Sequence, residues 1–263
     1  MGPQLSVLLA WWLLAGPATG APIKPQLDAP RDIGGGLPAG FEPSGAAWQP
    51  RLSRLLIVSD GGAIASMDAE GGSLRTWGLP GDLEGICVAE PESDRVYVLV
   101  EHPAEIIEFD LALGRALRTF PLAGLERGHK KNKGPEALAF VPEAGDPEGG
   151  TFWVGLQGDG SVHVFSLPLR SDRKGTTARE VRVFTPVAGA YDLAGLDWDP
   201  STETVWAVFD HEDVLAVLDR SGKVEASWPL PGQHQEGIAV TPDRIFVADD
   251  SGRHVFRYER RRP

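Results

Sequence analysis

Apolar residues in this chain fall into short runs, some alternating with polar residues and some continuous, bounded by Gly, Pro, Asp or Ser. Runs of that length with those boundaries predict β-strands, and no segment carries the period of a long helix. One stretch predicts four strands in succession, over Gly85–Val88, Arg95–Val100, Glu105–Asp110 and Arg115–Leu122. The four-part pattern returns at Gly195–Trp198, Thr204–Phe209, Val214–Leu218 and Val224–Leu230, and again at Ala137–Val141, Thr151–Gly155, Ser161–Phe165 and Glu180–Phe184. Longer connections at Glu143–Gly150 and Arg170–Arg179 stretch the third copy, and such insertions are where contact surfaces are expected.

The strand pattern is a repeat. Glu42-Pro43-Ser44-Gly45, Asp82-Leu83-Glu84-Gly85, Gly134-Pro135-Glu136-Ala137, Asp192-Leu193-Ala194-Gly195 and His234-Gln235-Glu236-Gly237 share one register and recur roughly every 40 residues. Each complete copy ends on a similar tag, as in Leu79-Pro80-Gly81, Leu122-Ala123-Gly124, Val187-Ala188-Gly189 and Leu230-Pro231-Gly232. The last copy shows three strands only, over Ile238–Val240, Arg244–Val247 and His254–Tyr258. A segment near Pro22–Leu37, ahead of the first copy, is then the candidate for the missing outer strand, and an edge position tolerates its prolines. The expected architecture is all-β: a β-propeller of five four-stranded blades, closed by an N-terminal strand that completes the last blade. An open or six-bladed ring is the alternative.

Composition narrows the setting. Residues 1–21 read as a signal peptide, with an apolar stretch Leu5–Leu14 too short to span a bilayer and a small-residue cleavage site at Thr19-Gly20-Ala21. Residues 22–263 then form a single domain, secreted or periplasmic, with no membrane span after cleavage. The single cysteine, Cys87, permits no intrachain disulfide. A net charge of −12 argues against nucleic acid and favours cations. A monomer that meets an unidentified small molecule or protein on its rim is expected.

A ring superimposes equivalent positions around one axis, so Ser44, Glu84, Glu136, Ala194 and Glu236 should converge, and three of these are carboxylates. The start of a first strand and the end of its antiparallel partner share a rim. That rim would also carry Asp60, Glu101, His102, Asp159, Asp210, His211, Asp249 and Asp250. Carboxylates gathered on an axis repel by several kcal/mol at intermediate dielectric. A hard divalent cation would neutralise them, and carboxylate and carbonyl ligands suit Ca2+ better than zinc. The candidate ligands are Glu84, Glu136, Glu236, Asn132 and Asp210. Two structural readings compete: solvated turn acids, and glutamates that accept backbone N–H bonds from the next blade.

Other features carry less. A basic island, residues 127–133, could steer an anion towards the rim or be a solvated loop, and the tail of Arg257, Arg260, Arg261 and Arg262 reads as a solvated end. His211 has no visible catalytic partner, and Trp153, Trp198 and Trp206 lie in strand patterns, as packing residues. No nucleophile elbow, Walker loop, dinucleotide fingerprint or zinc-protease motif occurs.

The phrases LEGICV, NKGPEALAF, DLAGLDWDP and QEGIAVTPDRIFVADD resemble the bacterial SdiA-regulated family, five-bladed propellers distantly similar to NHL-repeat proteins. The resemblance covers essentially the whole of 22–263 and implies a propeller with a calcium site and no established activity. Ser44 and Ala194 depart from it, because neither supplies a carboxylate. Two functions follow as expectations: a calcium-binding propeller that serves as a ligand- or partner-binding module, or a metal-dependent hydrolase of a lactone, ester or phosphate ester.

Overall fold

The computed structural model describes residues 24–125 and 134–260. The predicted signal at 1–21, the basic island at 127–133 and the candidate ligand Asn132 lie outside them. The chain opens with β1 (Pro25–Asp32) and a 3₁₀ turn at Gly34–Gly36. The first blade holds β2 (Pro43–Gln49), β3 (Arg54–Ser59), β4 (Ala63–Met67) and β5 (Arg75–Gly78). The second holds β6 (Leu83–Cys87), β7 (Arg95–Val100), β8 (Glu105–Asp110) and β9 (Arg115–Pro121). The third is built from β10 (Pro135–Pro142), β11 (Gly150–Leu156), β12 (Val162–Ser166) and β13 (Arg179–Phe184). The fourth comprises β14 (Leu193–Asp199), β15 (Thr204–Phe209), β16 (Val214–Leu218) and β17 (Val224–Pro229). The last contains β18 (Gln235–Val240), β19 (Arg244–Asp249) and β20 (His254–Arg260), with β1 as its fourth strand. Five antiparallel four-stranded sheets thus form a five-bladed propeller.

The ring closes as the strand count predicts. β1 pairs antiparallel with β20, Pro25 opposite Arg260 and Asp32 opposite Phe256. Asp32 fastens the seam: its carboxylate accepts the Gly34 N–H at 2.9 Å and sits 2.7 Å from His254 Nδ1. The arginine tail is not a solvated end as far as it is described. Arg260 is buried beside Asp199 (Nη2 to Oδ2, 2.7 Å), donates to the Thr241 carbonyl and lies over the Trp206 ring. Arg257 pairs with Glu70 and Glu259. A guanidinium with fixed carboxylate and carbonyl partners is held by geometry that a sequence pattern does not carry.

The core is distributed between blades. Five apolar clusters each draw on two adjacent blades, so successive residues of a central strand serve different clusters. Along β15, Val205, Ala207 and Phe209 face the third blade, while Trp206 and Val208 face the fifth. Burial on both faces is why the central strands read as continuous apolar runs rather than alternating ones. Outer strands such as β13 and β17 carry the exposed or alternating pattern instead. Trp153, Trp198 and Trp206 pack between blades, as expected, and Cys87 is buried in a strand. The tag leucines are buried and their N–H groups bond the preceding hairpin: Leu79 to Gly62, Leu122 to Ala104 and Leu230 to Asp213.

Two local devices shape the axis. Each innermost strand carries a register shift at the repeat position: Leu83 faces Val100 and Gly85 faces Leu99, which leaves Glu84 as the extra residue. Glu136, Ala194 and Glu236 are likewise extra, and the Ser44-Gly45 step is the counterpart in β2. A bulge frees one residue from the ladder and re-aims its side chain. The residue after it is held against the next blade. A Cβ on Gly45 would lie 2.6 Å from the Glu84 carbonyl, on Gly85 2.7 Å from Leu138 Cβ, on Gly195 3.1 Å from Ile238 N, and on Gly237 2.2 Å from the Ser44 carbonyl. In the third blade the residue is Ala137, and the glycine stands opposite it, at Gly155. Gly237→Ala should therefore lower unfolding free energy by roughly 1–3 kcal/mol through forced strand displacement. Gly78→Ala, whose Cβ meets nothing within 4 Å, should change it by less than about 0.5 kcal/mol. Denaturant titration of both checks this, and equal effects would contradict it.

Candidate functional site

Every innermost strand begins on the same rim, where its partner strand ends. The bulge therefore delivers Glu84 and Glu136 to one end of the central channel, whose wall also includes Gly45, Ala194 and Gly237, and brings Glu236 within range of the Glu136 charge. Glu84 and Glu136 are 8% and 7% exposed, values rarely met by carboxyls without a cationic partner. The two insertions of the third blade lie on the opposite rim, clasped together: Glu148 accepts the Arg170 N–H at 2.6 Å and the Ser171 N–H at 3.2 Å.

Around these glutamates runs a second tier of acids. Asp60, Glu101, Asp210 and Asp250 follow the second strand of their blades; Asp82 and Asp192 precede the first. Backbone bonds tie the tiers in register: Glu101 N–H to the Asp82 carbonyl, Asp210 N–H to that of Asp192 and Asp250 N–H to that of His234. Oxygens of Asp60, Asp82 and Glu84 lie within 4.8 Å of one another. Among the described residues, the ring's basic neighbours are histidines, with His102 Nε2 3.7 Å from Glu101 and His234 Nδ1 3.9 Å from Asp250.

Desolvation and mutual repulsion set the protonation of this ring. Burial, reinforced by Glu136, Asp60 and Asp82, pushes Glu84 up to about 11. Burial and Glu101 push Glu136 up to about 8, although its hydrogen bond with Glu84 opposes the shift. These two interact and titrate as a pair. Glu236 rises to about 9 through burial and the charges of Glu136, Asp250 and Asp210. Burial is also the chief cause that raises Asp60, Glu101, Asp192, Asp210 and Asp250.

The expected ligands are placed unevenly. Glu84, Glu136 and Glu236 converge, as the register requires. Asp210 stands in the second tier with its Oδ1 accepting the Gln235 N–H at 2.7 Å. Ser44 donates its hydroxyl to Asp60 instead of facing the axis as a ligand. Asp159 and Asp249 are turn acids, each accepting the N–H and hydroxyl of the serine two residues on. Asp82, Asp192 and Gln157 were not singled out by sequence reasoning. Asp82 and Asp192 each stand two residues before the register position, a spacing that could have found them. Gln157 Oε1 is buried with no hydrogen-bond partner among the described residues. Closely set carboxylates and an unpartnered amide oxygen are the hard donors that a calcium-like cation takes.

The pH dependence of the cation-free protein follows. A carboxyl raised in the fold keeps a proton that the unfolded chain releases, so the unfolded state binds fewer protons above the ordinary carboxylate range. This contribution is complete below about 4.5 and is lost as pH rises through about 8 for Glu136 and about 9 for Glu236. Thermal melts in chelator should show a midpoint that falls from pH 5 to 9.5, with a smaller fall in Glu236→Gln. A flat profile would contradict the buried ring.

Comparison with known proteins bears on the chemistry. A family model described as "Phytase-like: Esterase-like activity of phytase" matches residues 49–185, just over half of the chain. No curated protein matches the sequence significantly. Among solved structures, a glutaminyl cyclase from Myxococcus xanthus is similar with a TM-score of 0.59 and 13% identity, over 83% of this chain and 90% of that one. A virginiamycin B lyase from Staphylococcus aureus is similar at a TM-score of 0.46 and 12% identity, over 85% of this chain and 68% of that one. At such identities the cyclase likeness concerns the fold alone.

Proposed function

The chain belongs to the Phytase-like family, and on that premise we propose that it is a metal-dependent ester hydrolase acting at the acid-lined mouth of its channel. The observation that supports this reading most is the convergence of two buried bulge glutamates, Glu84 and Glu136, and the half-buried Glu236 around the cluster that Glu84 forms with Asp60 and Asp82. The family description names an esterase-like activity, which favours turnover over a binding module without chemistry. The phrases that resemble the SdiA-regulated group accord with the same ring and a calcium site, and add no reaction.

Glu84, Asp60 and Asp82 would hold the cation, with Glu136, Glu236 and Gln157 completing the shell from the facing blades. A bound calcium-like ion would polarise the ester oxygen and lower the pKa of a bound water. The chain's own part is to release protons from Glu84, Glu136 and Glu236 as the cation arrives, since ligating carboxyls are ionised. Asp192, Asp210 and Asp250 keep the mouth negative, which draws cations in. Asp210 also fixes the start of β18 through Gln235, and so the position of Glu236. A secreted or periplasmic setting accords with this reading, because weak calcium sites fill only where free calcium is high.

Hydrolysis of 4-nitrophenyl acetate and 4-nitrophenyl phosphate tests the proposal, before and after chelation and on return of calcium, magnesium, manganese or zinc. At least one ester should be cleaved. The rate should fall by roughly 100-fold on chelation and in Glu136→Gln. A hard divalent cation should restore it in the wild type alone. Cleavage of neither ester, or cleavage indifferent to chelation, would overturn the proposal in favour of a binding module.

A further inference from the structure

One aromatic side chain stands apart from the inter-blade packing. Tyr191 is 40% exposed, the only aromatic among the largely exposed apolar residues described. It lies at the acidic rim, immediately before Asp192, whose carboxyl neighbours Asp210, His211 and Glu212. Its ring stacks on His211 with centroids 4.0 Å apart and planes inclined by 28°.

The position of Tyr191 is fixed from several sides. The Asp192 N–H donates to the Gln157 carbonyl at 2.7 Å, and the Ala190 N–H to that of Val187 at 3.2 Å. The Tyr191 N–H faces Glu212 Oε1 at 3.4 Å. Gly160, at a φ of +64°, leaves room for this backbone, since a Cβ there would sit 2.6 Å from the Ala190 carbonyl. The other carboxylate oxygen of Glu212 is buried and has no partner among the described residues. Exposed loop side chains normally sample several rotamers, and the fixed backbone with the stack on His211 restricts that freedom. A ring on a fixed backbone, stacked on one face, exposed and beside the acidic mouth is suited to recognition rather than to folding.

We propose that the Tyr191–His211 pair is a specificity platform on which the planar ring of an aryl ester stacks, so that its ester bond is presented to the channel acids. The proposal rests on the hydrolase reading above and names the leaving-group class of that site. Selection comes from ring stacking at the face of Tyr191, and the acids on either side disfavour anionic rings.

The test compares 2-naphthyl acetate with ethyl acetate in wild type, Tyr191→Ala, Tyr191→Phe and His211→Ala, with melts to confirm folding. The aryl-to-alkyl ratio of kcat/KM should fall roughly three- to tenfold in Tyr191→Ala and His211→Ala through KM, and return in Tyr191→Phe. An unchanged ratio, with both substrates affected alike or not at all, would overturn the platform. If the wild type cleaves neither acetate, the hydrolase reading stands or falls on the two 4-nitrophenyl esters, and the platform is judged by binding of 2-naphthol followed by its fluorescence. Binding that weakens in Tyr191→Ala keeps the platform; absent or unaltered binding removes it.

Discussion

The close approach of five strands around one axis is the constraint on which this molecule depends. Gly45, Gly85 and Gly237 abut the next blade so tightly that a side chain would enter its backbone or first carbon, and Gly195 meets it in a tight contact. The third blade solves the problem differently, with Ala137 opposite Gly155. Contact at this radius seals the inter-blade clusters from solvent at their inner ends and leaves no space on the axis for bulky residues. It also explains the bulges. Five regular strands would turn the residues before the glycines into the ladder, whereas one extra residue per strand lifts them towards the rim.

Fold and site are therefore made by the same five dipeptide steps. The glycine half closes the ring, and the residue before it is delivered to the mouth whatever its chemistry. The nature of that residue then decides function: three positions carry glutamate, one carries a serine occupied with Asp60, and one carries alanine. The result is an asymmetric acid set biased to the second, third and fifth blades. Its members are costly to ionise together and well suited to surrender protons to a cation, as expected of a binding site more than of a clasp. Among the described residues, no backbone N–H of the next blade is a leading influence on any of the three glutamates, so the clasp reading lacks its partners.

Much of this was legible in the sequence. The central strands β7, β8, β15 and β16 match their predicted bounds, because residues buried on both faces leave uninterrupted apolar runs. The closing strand was legible too, from the missing fourth run of the last copy, although β1 occupies only Pro25–Asp32 of the wider segment. The innermost strands were misread by about two residues at their start, for one reason. A bulge breaks the period-2 pattern, so Leu83-Glu84, Pro135-Glu136 and Gln235-Glu236 resemble turn residues although they belong to strands. Arg260 and Tyr191 mark where the pattern stops being informative. Arg260 reads as a solvated tail residue and is buried on Asp199, whereas Tyr191, between two predicted strands and marked by no motif, stands at the acid rim. Arg260 depends on a contact between repeats, and Tyr191 on loops of its own blade together with Gln157 and Gly160 of the preceding one.

That the bulge glutamates form a cation site is the central claim, and calorimetric titration of calcium into the chelator-treated protein, in two buffers of different ionisation enthalpy, tests it most directly. One ion per chain should bind near neutral pH with net proton release, visible as a difference between the buffers, and Glu84→Gln with Glu236→Gln should abolish both signals. Absence of binding by calcium and by any other divalent ion, or binding that survives those substitutions, would contradict the account.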